Sequence, residues 1–159
     1  MAVPGVIVWS AEAFSVGWDL PSGLAVLPVL LGAGLIALGV ALAAWTVTLF
    51  AVVGRGTLAP WDPTSRLVVR GPYRHVRNPM ITGVAAILAG EAALLGSPAL
   101  AAWVVAVVGV NAVYMPLVEE PGLSRRYGEA YEVYRANVPR WVPRLRAWHP
   151  AAGQGASRT

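Results

Sequence analysis

Three groups of residues in this chain have the types and spacing to do chemistry. The first is Arg70-Gly71-Pro72-Tyr73-Arg74-His75-Val76-Arg77-Asn78-Pro79, which holds three arginines, a histidine and two prolines in ten residues. A guanidinium matches a carboxylate or phosphate through two parallel hydrogen bonds. A rigid cationic loop of this kind suits an anionic ligand, and it equally suits the cytoplasmic end of a membrane helix. The second group is Glu119-Glu120. Adjacent carboxylates stay ionised only where water or cations compensate them. A cationic ligand would do so, and so would a helix cap salt-bridged to Arg77. The third is Tyr127, Tyr131 and Tyr134, spaced i, i+4, i+7 among Arg125, Arg126, Glu129, Glu132 and Arg135. On a helix those phenols share one face, which can belt a membrane interface or wall a ligand pocket.

Two single residues stand apart. His75 can serve as a general base or sit as an interfacial residue among the arginines. Glu91 lies within an apolar run, where an ionisable group is costly and marks a functional candidate. A hydrogen bond to a facing helix is the structural alternative, with Asn111 as the partner.

Composition limits the class. The chain has 159 residues, 57% of them hydrophobic and 13% charged, against about 25% charged in ordinary soluble domains. From Val3 to Val53 the only charges are Glu12 and Asp19, and from Met80 to Val118 the only one is Glu91. A bilayer core takes roughly 20 apolar residues of helix, so both stretches are long enough to cross. The net charge is +4, and every basic residue is arginine, in two blocks around residues 54–79 and after Pro121. Arginine flanking apolar spans is the pattern of membrane topology, not of nucleic-acid binding. With no cysteine and two distant histidines, the chain has no disulfide, no thiolate nucleophile and no metal-ligand spacing.

The elements that position these groups follow in order. Residues 3–18 are apolar but short, and either span or lie in the interface. No basic residue precedes them, so the N-terminus is expected to be retained and not cleaved as a signal peptide. Leu24–Val53 is uncharged and longer than the membrane core, so it must tilt, kink near Pro28 or project. Its glycines, Gly32, Gly34 and Gly39, suit close helix packing; no strand precedes them, which excludes a dinucleotide loop. Met80–Gly96 and Pro98–Val118 are joined only through Ser97, which makes a tight helical hairpin. Its two ends return to one side, so Arg77-Asn78-Pro79 and Glu119-Glu120-Pro121 are expected to face each other. Gly122–Asn137 reads as an amphipathic helix ended by Pro139.

Taken together, GPYRHVRNP, a membrane hairpin, EEP and RYGEAYEVYRANVPRWVPR resemble the isoprenylcysteine carboxyl methyltransferase family and the related membrane phospholipid methyltransferases. The resemblance covers residues 54–146. It implies an integral membrane enzyme that uses S-adenosyl-L-methionine. It further implies a cofactor pocket built from His75, Arg77, Asn78, Pro79, Glu119, Glu120 and Tyr131, with Arg77, Glu119 and Arg135 as catalytic residues. Relatives commonly carry a tyrosine soon after the R-N-P motif, where this chain has Met80-Ile81-Thr82.

The expected fold is all-α: a polytopic membrane helical bundle with a tight C-terminal transmembrane hairpin and an amphipathic C-terminal interfacial helix. It forms a single membrane domain. Apolar helices occupy residues 1–53, the methyltransferase-like region 54–146 and a disordered tail 147–159. The implied function is methyl transfer to a lipid or lipidated small-molecule acceptor, foremost a carboxylate of isoprenylcysteine type. A phospholipid amine acceptor and a non-catalytic membrane scaffold are the alternatives. The arginine bias puts loop 54–79, the tail and the site on the cytoplasmic face of a membrane, in a bacterium the inner one, with the N-terminus outside.

Overall fold

The structure, a computed structural model, describes residues 17–18, 20–21, 24–54 and 67–150, and among them there is helix and no strand. Helix α1 is Val26–Leu49 and continues as a wide π-helical turn, Phe50–Gly54. A 3-10 turn, Gly71–Arg74, precedes α2, Pro79–Leu95. Helix α3, Pro98–Tyr114, runs through a π-helical turn at Met115–Glu119 into α4, Glu120–Tyr127, and α5 is Glu129–Asn137. Val26–Gly54 and Pro98–Tyr127 are each long and apolar enough to cross a membrane, and most of their side chains face outward. The core helix of a soluble protein would bury those side chains. Most of the run at residues 3–18 and the loop at 55–66 lie outside the described residues.

The chain divides into two compact units. The first holds Met1–Ala41 and Ile81–Ala112. Here the first part of α1 packs on α2 backbone to backbone. A Cβ on Gly32 would stand 2.7 Å from the Gly90 carbonyl oxygen, one on Gly90 2.6 Å from that of Gly32, and one on Gly39 2.5 Å from that of Gly83. Small residues allow this approach in a setting where helices have no hydrophobic drive to associate. Gly34 faces open space and takes no part. Pro28 lies in the first turn of α1, where no intrahelical N–H is required, so it causes no kink.

The hairpin forms as expected. Gly96 adopts φ +57, a left-handed conformation open to glycine, and Ser97 accepts the Leu100 N–H through Oγ at 3.4 Å. Pro98 then occupies the first helical position, where proline is favoured. The pairing of Glu91 with Asn111 does not form. The Asn111 amide donates to the Val107 carbonyl of its own helix at 2.8 Å, and Glu91 Oε2 is buried without a partner.

The second unit holds Leu42–Met80 and Val113–Thr159. Gly71, at φ +54, lies against Trp45 and Leu49, and the Tyr73 ring meets Phe50 edge-on at 5.5 Å. The core is Tyr131, Tyr134 and Val138, covered by Leu67, Val69, Leu123, Tyr127 and Trp148. Three expectations change here. The helix expected over Gly122–Asn137 begins at Glu120 and breaks at Gly128, whose φ of +54 a residue with a Cβ would resist. The apolar helix does not stop at Glu119-Glu120-Pro121 but runs through it. Pro116 and Pro121 cannot donate to the preceding turn, and the wider π turn accommodates the first of them. The tyrosine face is not an interface belt: Tyr131 and Tyr134 are buried, because the segment after α5 folds back over them.

That return also corrects the expected disordered tail at its start. Trp148 stacks near Tyr134 at 5.9 Å, and its N–H donates to the Arg74 carbonyl at 3.0 Å. A large aromatic ring gave residues 147–150 something to bury. Residues 151–159 lie outside the described part.

Candidate functional site

Glu120 is the centre of the charged residues in the second unit. It is 3% exposed, a position where a carboxylate is tolerated only if paired and hydrogen-bonded. Three arginines meet it. Arg77 Nη1 donates to Oε1 at 3.0 Å. Arg140 donates twice, from Nε to Oε1 at 2.6 Å and from Nη2 to Oε2 at 2.9 Å. Arg135 Nε lies 3.5 Å from Oε2, and the same guanidinium reaches Glu132 at 3.8 Å.

The backbone closes this group into a ring. The Arg77 N–H donates to the Pro139 carbonyl at 2.9 Å, one residue before Arg140. Arg77 is thus held at both ends, by its own N–H through Pro139 and by its guanidinium through Glu120. The next residues are zipped in the same way. The Arg144 N–H donates to the His75 carbonyl at 3.0 Å, and His75 Nδ1 lies 2.7 Å from the Arg144 carbonyl. A carbonyl only accepts, so Nδ1 carries the proton in this contact.

Phenols line the inner side. The buried Tyr134 hydroxyl donates to the Tyr73 carbonyl at 2.7 Å. Burial pushes the phenols of Tyr73 and Tyr134 well above their ordinary range, with the charge of Glu119 adding at Tyr73 and Tyr73 itself adding at Tyr134. Burial and Glu120 push Tyr131 up as well, against the pull of Arg77 and Arg135. All three therefore stay neutral near neutral pH. The hydrogen bond to Glu120 holds Arg140 further above its already high value.

The two glutamates are not equivalent. Glu120 is fully engaged by arginine. Glu119 is half-buried, and its charge is felt by Tyr73. The hairpin thus brings the R-N-P and E-E-P motifs together, through Arg77 and Glu120. Of the other residues singled out in the sequence, Arg135 and Tyr131 join this cluster, and Pro79 is fully buried at the start of α2. Asn78 is half-buried, and His75 is tied to Arg144. Arg140 was missed. Its signal was present in VPRWVPR, where an arginine follows the proline that ends the tyrosine helix.

S-adenosyl-L-methionine presents a carboxylate, an ammonium, a sulfonium, a ribose diol and an adenine, and these residues fit it. Arg77 Nε is buried without a hydrogen-bond partner, an uncommon state for such a donor that a carboxylate oxygen would relieve. Glu119, half-buried beside this cluster, offers an acceptor for the ammonium or the diol.

No curated protein and no solved structure matches the chain. The pattern that defines the phospholipid methyltransferase family matches residues 27–130, a stretch that takes in all but the first residue of α1, the arginine-rich turn, the hairpin and both glutamates. By that match over more than half its length, and by the helical arrangement that carries it, this chain is a membrane protein of the phospholipid methyltransferase family.

Proposed function

We propose that the chain is an S-adenosyl-L-methionine-dependent methyltransferase acting on a lipophilic acceptor at the cytoplasmic membrane face, in a bacterium that of the inner membrane. The observation that carries this reading is the ring of Arg77, Pro139, Arg140 and Glu120, which holds a buried guanidinium with one donor unspent. When bound, the cofactor supplies an electrophilic methyl group. In this reading His75, Arg77, Asn78, Pro79, Glu119, Glu120 and Tyr131 form the cofactor site. Arg77, Glu119 and Arg135 lie closest to the reacting atoms. Glu120 acts by orienting the arginines, and Arg77 binds a carboxylate through its fork. The catalytic region is residues 54–146.

Methyl transfer is an in-line displacement, so the protein's task is to position the partners and exclude water. A carboxylate acceptor of isoprenylcysteine type is ionised at neutral pH and needs no base. The concentration of arginine favours it. An aminophospholipid is the second reading, favoured by the family match. Its amine must first lose a proton, and Glu119 is the available carboxylate. The arginine bias supports the cytoplasmic orientation.

Purified protein in detergent should bind S-adenosyl-L-methionine. Parallel incubation with a prenylated thiol acid and with an aminophospholipid separates the two acceptors by which product carries the methyl group. Folded protein that binds no cofactor would favour a non-catalytic scaffold.

A further inference from the structure

We infer that the loop Trp141–Arg146 is a membrane-surface anchor that seats Val142 and Leu145 in the headgroup region of an anionic bilayer, with Arg144 and Arg146 against lipid phosphates. Leu145 is 99% exposed and Val142 75%, the two most exposed large apolar side chains among the described residues. The next in order, Val52 and Val105, belong to apolar helices whose outward faces meet lipid tails. Val142 and Leu145 belong to no helix, so that account does not cover them.

Their exposure is built in. The loop is pinned on its inner side by the paired contacts of Arg144 with His75, at 3.0 and 2.7 Å, and by the Arg144 Nη1 hydrogen bond to the Asn137 carbonyl at 2.6 Å. Just beyond it, the Trp148 N–H is fixed to Arg74 at 3.0 Å. A backbone held this firmly presents its apolar tips outward. The turn that pins it, Gly71–Arg74, itself lies on Trp45, Leu49 and Phe50. Those residues end a helix long enough to cross a membrane, so the loop belongs at the level where such a helix leaves the bilayer.

Charge identifies the partner. After Glu132 the chain has no acidic residue and five arginines. Trp141 and Trp148 are half-exposed, and tryptophan favours the headgroup level. Arginine beside exposed apolar side chains suits an anionic lipid surface. A second copy of the chain docking on the same loop would set arginine against arginine. This inference does not depend on the methyltransferase reading.

The chain has no cysteine, which makes the test direct. Leu145→Cys, carrying an environment-sensitive fluorophore, is placed in vesicles of phosphatidylcholine alone or mixed with phosphatidylglycerol. Glu129→Cys, on an exposed position of α5, is the control. The account predicts blue-shifted emission and quenching by lipid-borne quenchers at position 145, stronger with phosphatidylglycerol, and neither effect at 129. Adding Arg146→Gln to the labelled protein should weaken the phosphatidylglycerol preference roughly fivefold. Water-like emission at 145 in both lipids, a response indifferent to lipid charge, or a shift that tracks protein concentration would each overturn it.

Discussion

Glu120 and Arg140 meet at two points, Nε to Oε1 at 2.6 Å and Nη2 to Oε2 at 2.9 Å. Arg77 adds a third contact at 3.0 Å. Together they join the turn before α2, the start of α4 and the segment after α5.

The first prediction concerns that joint. Removing one partner of a buried ion pair costs about 3–5 kcal/mol. Glu120→Gln should fall in this range, since it strands three guanidinium groups around a neutral amide. Arg140 is about a quarter exposed, so Arg140→Gln should cost less, with water screening part of the loss. Thermal unfolding in detergent, followed by size distribution, measures both. A Glu120→Gln protein as stable as the parent would show that the joint contributes nothing.

The second concerns Tyr134. Its hydroxyl is the donor for the buried Tyr73 carbonyl. Tyr134→Phe keeps the ring packing and leaves that carbonyl short of a donor, at a cost of about 1–3 kcal/mol. The same unfolding measurement checks it, and an unchanged midpoint would contradict it.

The helix pair gives a contrast of sign. Gly90→Ala places a Cβ 2.6 Å from the Gly32 carbonyl oxygen and should destabilise by about 1–3 kcal/mol through overpacking. Gly34→Ala meets nothing within 4 Å and should stabilise by up to about 1 kcal/mol through helix propensity. Equal effects from the two substitutions would mean that α1 and α2 do not pack as described.

Much of this was legible in the sequence, for physical reasons that can be named. The spans follow from long uncharged runs. The meeting of Arg77 and Glu120 follows from a hairpin turned within Gly96-Ser97, whose ends must return together. The burial of Tyr131 and Tyr134 was not legible, because a tyrosine stripe beside a membrane has the same spacing whether it faces lipid or protein. What decides between them is the return of Val138 and Trp148 over the rings, a contact that no local pattern encodes. The break at Gly128 was masked by a helical periodicity that continues across it. The roles of the two glutamates could not be told apart while Arg140 was overlooked, since it is Arg140 that engages Glu120 fully and leaves Glu119 available.

The orientation has its own test. Ala130→Cys lies on an exposed position. It should resist an impermeant thiol reagent in intact cells and react once the membrane is opened. Labelling from outside would reverse the topology drawn from the arginine bias.

The central claim is most directly tested by S-adenosyl-L-methionine binding to the purified protein in detergent, comparing the parent with Glu119→Gln and with Glu129→Gln. The parent should bind. Losing a partner to a buried charge costs about 2–5 kcal/mol, and tenfold in affinity is about 1.4 kcal/mol. Glu119→Gln should therefore weaken binding by tens-fold or more while remaining monodisperse, and Glu129→Gln, on the exposed side of α5, should bind like the parent. A monodisperse parent that fails to bind, or a Glu119→Gln protein that binds as tightly as the parent, would contradict the account.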